Sequence, residues 1–260
     1  FMTLVFAQPR QPEFELGMNS EFFERGDGYR QFKAKYKLKV NPREIEHGIL
    51  YKALLSGSID AAVGYSTDGQ IAANDLVVLE DDQRFFPPYE ACPIVYGPSL
   101  EEFPKLRPAL EMLTGQIDTR TMSELNARVD NGREKAQVVG RDWLKAQGFR
   151  TEVRRRGGGG VVIGGKTFAE QYILAEMFAI VIENYTPYPV KLQTGLGGTT
   201  ICFDALETGE IDLYPDYTGT GLLAILEPEQ AEVERLLQQP EKIYDYVKSR
   251  FQSQFDIVWC

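Results

Sequence analysis

Few side chains in this chain have the types and spacings that catalysis or metal binding would need. His47 is the single histidine of the 260 residues and falls in the charged start of a helix pattern, which argues against His-based metal sites and Ser-His-Asp catalysis. Cys92, Cys202 and Cys260 are odd in number and unrelated in spacing, so they imply neither a disulfide framework nor a zinc site. Cys202, inside a helix pattern, reads as a small core residue. No metal, cofactor or enzymatic turnover is expected. Asp60 and Asp212 form a candidate carboxylate pair, but each opens a strand at the same place in a repeated unit, which favours two structural roles over acid/base work. Residues 160–167, GVVIGGKT, spell the phosphate-loop pattern G-x-x-x-x-G-K-[ST]. A phosphate loop needs its strand before the first glycine, and here the apolar strand 161–163 lies inside the motif, so nucleotide binding is not expected. Residues 195–200, GLGGTT, precede a helix; free N–H groups there suit a small anion such as a carboxylate, and a plain tight turn fits equally well.

What remains is aromatic chemistry, carried by a duplication. Residues 205–220, ALETGEIDLYPDYTGT, echo residues 53–68, ALLSGSIDAAVGYSTD, at a constant offset of 152. The echo reaches upstream, where 188–192 stand opposite 36–40. Each copy reads as a helix ending at Gly57 or Gly209, then a short strand (59–63 or 211–214). A turn then carries Tyr65 or Tyr217 beyond the carboxyl end of the strand, where open α/β sheets bind ligands. Two copies suggest two lobes, each offering a ring to a shared cleft; packing of each ring inside its own lobe competes evenly with this reading. Tyr89, after Pro87 and Pro88, shows no core periodicity, and packing and ligand contact both stay open for it. Gln171, one residue past a capping box at 167–170, reads by itself as a surface glutamine.

The elements that must hold these residues alternate. A strand from Phe14 to Gly17 runs into Asn19 or Ser20 as a helix cap, and a helix over 21–35 is interrupted near 26–28. A strand 37–40, a helix 43–56 and strands 59–63 and 76–79 follow; residues 87–93 are extended and turn-rich. The pattern is helical from residue 100, clearest over 122–129 and 133–147. After four consecutive glycines the alternation restarts with strand 161–163, a helix to Asn184, strand 190–193, a helix from Thr199 or Thr200 to 207, strand 211–214, helices 229–238 and 241–252, and strand 255–259. This β-α-β series predicts parallel-type sheets. With 43% hydrophobic residues and no apolar run long enough for a bilayer, the composition is that of a globular protein. A net charge of −10 argues against nucleic acid and is compatible with a cationic ligand. Residues 1–6 lack the basic start and apolar core of a signal peptide.

Residues 161–174, VVIGGKTFAEQYIL, then 196–199, LGGT, then 209–220, GEIDLYPDYTGT, resemble the opening half of the osmoprotectant-binding proteins of ABC importers for glycine betaine, carnitine and choline. Residues 57–68 and 79–93 resemble that family's later half. The later half comes first here, so the order resembles a circular permutation in which the tetraglycine joins the old ends. The family's Asn-Thr-aromatic crossover segment has no counterpart beyond Phe1. The resemblance implies a type II periplasmic-binding-protein-like α/β fold, two lobes with a hinge and a central cleft. Residues 1–81 would form one lobe, 82–153 with 161–260 the other, and 154–160 a linker. It also implies a cage of Tyr217, Tyr65 and Tyr89 around a quaternary ammonium, with Gln171, Thr199, Thr200 and Thr218 as further contacts. A threonine at 200 favours ligands that carry a carboxylate. The expected protein is a monomer, periplasmic or extracellular at the membrane, that serves an ABC permease; a ligand-sensing domain of the same fold is the alternative.

Overall fold

The computed structural model describes residues 2–6, 14–152 and 160–260; the turn expected near 8–12 and, apart from Gly160, the linker expected over 154–160 lie outside the described residues. The chain divides into two units, one ending at Pro88 and one beginning at Tyr89. Among the described residues no helix is long and apolar enough to cross a membrane.

The smaller unit comprises β1 (Met2–Phe6), β2 (Glu15–Met18), α1 (Ser20–Glu24), α2 (Tyr29–Tyr36), β3 (Asn41–Glu44), α3 (His47–Leu55), β4 (Ala61–Tyr65), α4 (Gly69–Ala73) and β5 (Val77–Val78). Its sheet runs β3-β2-β4-β1-β5, parallel from β3 to β4 and antiparallel where β1 meets β4 and β5. The parallel-type sheet read from the sequence is therefore mixed. Strand alternation sorts the core onto two faces. Leu16, Met18, Ala61 and Val63 pack with Phe22, Tyr29 and Phe32, while Ala62 packs with Leu50, Tyr51, Leu54 and Ile59. The strand expected at 37–40 lies instead at 41–44. Lys37 closes α2 in the left-handed region at φ 52°, and Leu38 and Val40 pack, partly buried, against the core, so the exposed residues after them pair with β2. This takes the first residues of the helix expected over 43–56. Pro42 is tolerated there because β3 is an edge strand.

The larger unit begins with β6 (Ala91–Tyr96), α5 (Gly97–Glu102), α6 (Leu106–Glu111), α7 (Thr119–Asp130), α8 (Ala136–Ala146), β7 (Val161–Gly165) and α9 (Ala169–Tyr185). It continues through β8 (Val190–Thr194), α10 (Thr199–Glu207), β9 (Leu213–Tyr217), α11 (Thr218–Thr220), α12 (Gln230–Leu237), α13 (Ile243–Phe255) and β10 (Ile257–Trp259). A π-helical turn, Gly221–Leu226, extends α11. The sheet order is β10-β6-β9-β7-β8, again mixed. β6 was not legible as a strand, because Pro93 and its proline-rich approach read as a turn; Pro93 pairs with Pro215, a position where neither residue can donate to the ladder. Helix α9 is buried nearly all round, packed on α8, α7 and α6 on one side of the sheet, with α10 and α13 serving the other cluster.

The duplication survives folding to the residue. α3 and α10, and β4 and β9, have bounds that match at the same offset of 152. Both helices end in the same hydrogen-bonded stop. Gly57 N–H donates to Leu54 O and Ser58 N–H to Ala53 O; Gly209 N–H donates to Leu206 O and Glu210 N–H to Ala205 O. Gly57 at φ 72° and Gly209 at φ 71° supply the left-handed residue this stop requires. The strands lie two residues later than the sequence pattern placed them, so Tyr65 and Tyr217 are the last residues of β4 and β9 rather than turn residues beyond them.

Candidate functional site

In the larger unit the predicted residues gather at the carboxyl ends of β7 and β9. Tyr217 ends β9 with its ring partly exposed, 6.4 Å from Phe168 and nearly parallel to it at 24°. Its hydroxyl donates to Glu170 Oε1 at 2.8 Å and accepts from Gln171 Nε2 at 3.3 Å. Tyr89, also partly exposed, sits two residues before Ala91, and Ala91 is the register partner of Tyr217. Thr218 is buried, and its hydroxyl and N–H bind Glu90 N–H and O at 3.0 and 3.1 Å. It thereby ties the segment next to Tyr89 to the end of β9.

Gln171 is 0% exposed, which overturns the surface reading. Its amide donates to Pro215 O at 2.8 Å and its carbonyl accepts from Lys166 N–H at 3.0 Å, so it staples the end of β7 to β9. Thr199, the first residue of α10, is buried with its hydroxyl 3.0 Å from Lys166 Nζ, whereas Thr200 beside it is exposed. The anion reading of 195–200 loses two donors, because Gly195 and Leu196 N–H both point to Gly165 O.

Sequence reasoning missed the groups beneath these residues. Lys166, 3% exposed, reaches Asp216 Oδ1 at 2.8 Å, and Asp216, 0% exposed, also accepts from Tyr217 N–H at 2.8 Å and Tyr214 Oη at 2.6 Å. Lys166 Nζ stands 5.6 Å from the Tyr217 ring centroid. The only signal for Lys166 was its place in the phosphate-loop lookalike, and for Asp216 its position between the strand tyrosines. Glu170 was read into a capping box with Thr167. The structure corrects this: Phe168 is the N-cap residue, in extended conformation with no side-chain cap, and Glu170 turns to Tyr217 and to Asn126 Nδ2 at 3.0 Å. The two aspartates singled out first are strand clamps. Asp60 Oδ2 accepts from Glu15 N–H at 2.9 Å and Asp212 Oδ2 from Val162 N–H at 2.6 Å, each against the start of a parallel neighbour.

In the smaller unit Tyr65 ends β4 as Tyr217 ends β9. Its hydroxyl accepts from Asn19 Nδ2 at 3.2 Å, the role that Gln171 plays for Tyr217. The His47 ring lies 5.0 Å from the Tyr65 ring, and His47 Nε2 is 3.2 Å from Asp68 Oδ1. Asp68 Oδ2 accepts from Tyr51 Oη at 2.5 Å and Tyr65 N–H at 2.8 Å. Burial, and after it the Glu21 and Asp68 carboxylates, push the Tyr65 hydroxyl far above the usual phenol range, so it is a neutral ring at any physiological pH. A partly exposed neutral phenol with an anchored hydroxyl presents a ring face, which suits a cation that has no N–H to donate. Among the described residues no group of three His, Cys, Asp or Glu could hold a metal ion.

The chain is similar to several known proteins. The model of the substrate-binding domain of the ABC-type glycine betaine transport system matches residues 6–146 and 159–260. A carnitine transport binding protein of Listeria monocytogenes is 35% identical over 141 residues, 53% of this chain and 45% of that protein. An ergothioneine transport permease/ergothioneine binding protein of Helicobacter pylori is 32% identical over 137 residues, 52% of this chain and 25% of that protein. A crystal structure of a glycine betaine/carnitine/choline ABC transporter is 32% identical and covers 56% of this chain and 60% of its own, with a TM-score of 0.44. The chain therefore spans about half the length, or less, of these curated relatives. Two family matches covering nearly all of its residues are decisive: the chain belongs to the family of substrate-binding domains of ABC-type glycine betaine transport systems.

Proposed function

We propose that this protein captures a small quaternary ammonium solute, such as glycine betaine, carnitine or choline, and delivers it chemically unchanged to an ABC permease outside the cytoplasm. The observation that carries this reading is Tyr217, whose hydroxyl is tied down by Glu170 and Gln171 while its ring stays partly exposed at the carboxyl end of β9. Tyr89 and Tyr65 are assigned to the same ligand as the other rings. A trimethylammonium group attracts ring faces electrostatically, by about 0.5–2 kcal/mol per ring. Three such rings supply at most about 6 kcal/mol, so near-micromolar binding, about −8 kcal/mol, also draws on the water excluded from the site and on the polar contacts. Thr200, exposed at the start of α10, is the threonine assigned to a ligand carboxylate, with Thr199, Thr218 and Gln171 shaping the site from behind. The resemblance of residues 161–220 to the family's opening half and of 57–93 to its later half supports reading the order as a permutation, in which the tetraglycine links the two stretches of one lobe of a monomeric binding protein. Titration with glycine betaine, carnitine and choline, followed by tryptophan fluorescence and calorimetry, tests the reading. Saturable binding of at least one, weakened in Tyr217→Ala, is expected; absence of binding to all three refutes it.

A further inference from the structure

We propose that Glu170 sets the preference of this site for a cation over a neutral solute, acting through Tyr217 without touching the ligand. The inference rests on the proposed function and deepens it. Glu170 is the second residue of α9, buried, and both its carboxylate oxygens are held by donors from other elements. Tyr217 Oη at the end of β9 gives its proton to Oε1 at 2.8 Å, and Asn126 Nδ2 on α7 gives one to Oε2 at 3.0 Å. Glu170 stands in the first turn of α9, the end of a helix that attracts negative charge. A phenol that donates to a carboxylate makes a charge-assisted bond, roughly twice as strong as a neutral one, and in a low-dielectric setting that bond polarises its donor. Charge drawn onto the phenol oxygen spreads into the ring and makes its face more negative. That face is what attracts a methylated cation. Two neighbours act in the opposite sense. Gln171 Nε2 donates to the same hydroxyl, but as a neutral group at the longer distance of 3.3 Å. Lys166 Nζ lies 5.6 Å from the ring centroid, but its charge is matched by Asp216 at 2.8 Å. The balance leaves Glu170 as the group that decides the ring's charge.

The test compares each cation with its carbon isostere: choline with 3,3-dimethylbutan-1-ol, and glycine betaine with 3,3-dimethylbutanoate. Dissociation constants are measured by calorimetry, or by competition for the weaker member, in the parent chain, Glu170→Gln, Tyr217→Phe and the double variant. Glu170→Gln is expected to lower the cation-to-isostere affinity ratio about tenfold, equivalent to about 1.4 kcal/mol, with the isostere's own affinity nearly unchanged. Tyr217→Phe, which keeps the carboxylate and loses only the hydroxyl, is expected to lower the ratio similarly, and the double variant no further than either single one. Equal loss for cation and isostere, or additive losses in the double variant, would mean that Glu170 merely props up the fold and would overturn the inference. Should Glu170→Gln not fold, an unchanged ratio in Tyr217→Phe overturns it equally. A parent chain that binds quaternary ammonium while Glu170→Gln keeps the full ratio sinks this inference alone. A parent chain that binds none sinks the proposed function and this inference with it.

Discussion

Replacing Lys166 by methionine removes one partner of an ion pair whose two side chains are 4% and 0% exposed. Breaking such a pair from one side costs about 3–5 kcal/mol, because the remaining charge stays buried. Asp216 would keep two donors, Tyr214 Oη at 2.6 Å and Tyr217 N–H at 2.8 Å, and this places the expected loss at the lower end, near 3 kcal/mol. For a domain of about 150–250 residues, that loss lowers the melting temperature by roughly 6–12 °C. Calorimetry or thermal circular dichroism reads it directly, followed on the transition that carries the larger unit. The double variant Lys166→Met with Asp216→Asn leaves no lone charge and is expected to recover most of the loss. A Lys166→Met protein within about 1 kcal/mol of the parent would refute the reasoning, since a buried unpaired carboxylate could not be so cheap.

Other expectations follow from the same geometry. Alanine at Gly57 and at Gly209 should each cost about 1–2 kcal/mol, since both sit near φ 71–72° in the same helix stop, with the larger loss at Gly209, where a Cβ would come 3.0 Å from the Tyr96 ring; chemical denaturation would show it. Asp60→Ala and Asp212→Ala should each lower stability by about 1–3 kcal/mol, read by thermal melts, while leaving ligand affinity near the parent value if these carboxylates only clamp strands. Burial pushes the Cys92 thiol from its ordinary 9.0 up to about 12, so its alkylation at pH 8 should be far slower than that of a free thiol. The folded pKa is raised, so the native state holds the proton longer than the unfolded chain does. The contribution of Cys92 is then complete below pH 9 and fades between about 9 and 12, which urea titrations across that range can follow.

Much of the frame was legible along the chain because it depends on local rules. Glycine at the helix stops, the alternation of β4 and β9 and the interruption near residues 26–28 are short-range consequences of residue type. Where non-local pairing competed with local pattern, the reading slipped. Asn41–Glu44 became an edge strand because Leu38 and Val40 pack against the core, and Ala91–Tyr96 became an inner strand despite Pro93. Thr167 and Glu170 satisfied a capping-box pattern, yet a better acceptor role for Glu170 lay across the fold at Tyr217.

By itself, then, the sequence determined the duplicated helix-stop-strand unit, the tyrosine that closes each copy and the paired aspartates, because spacing and backbone preference are written residue by residue. Only the tertiary structure decided where Lys166, Glu170 and Gln171 would spend their polar groups. They sit 44–50 residues from Pro215, Asp216 and Tyr217, and nothing in their immediate neighbours shows which partners folding will bring. A buried charge or amide is tolerable only where such a partner arrives, and its arrival is a property of the packed sheet rather than of the local chain.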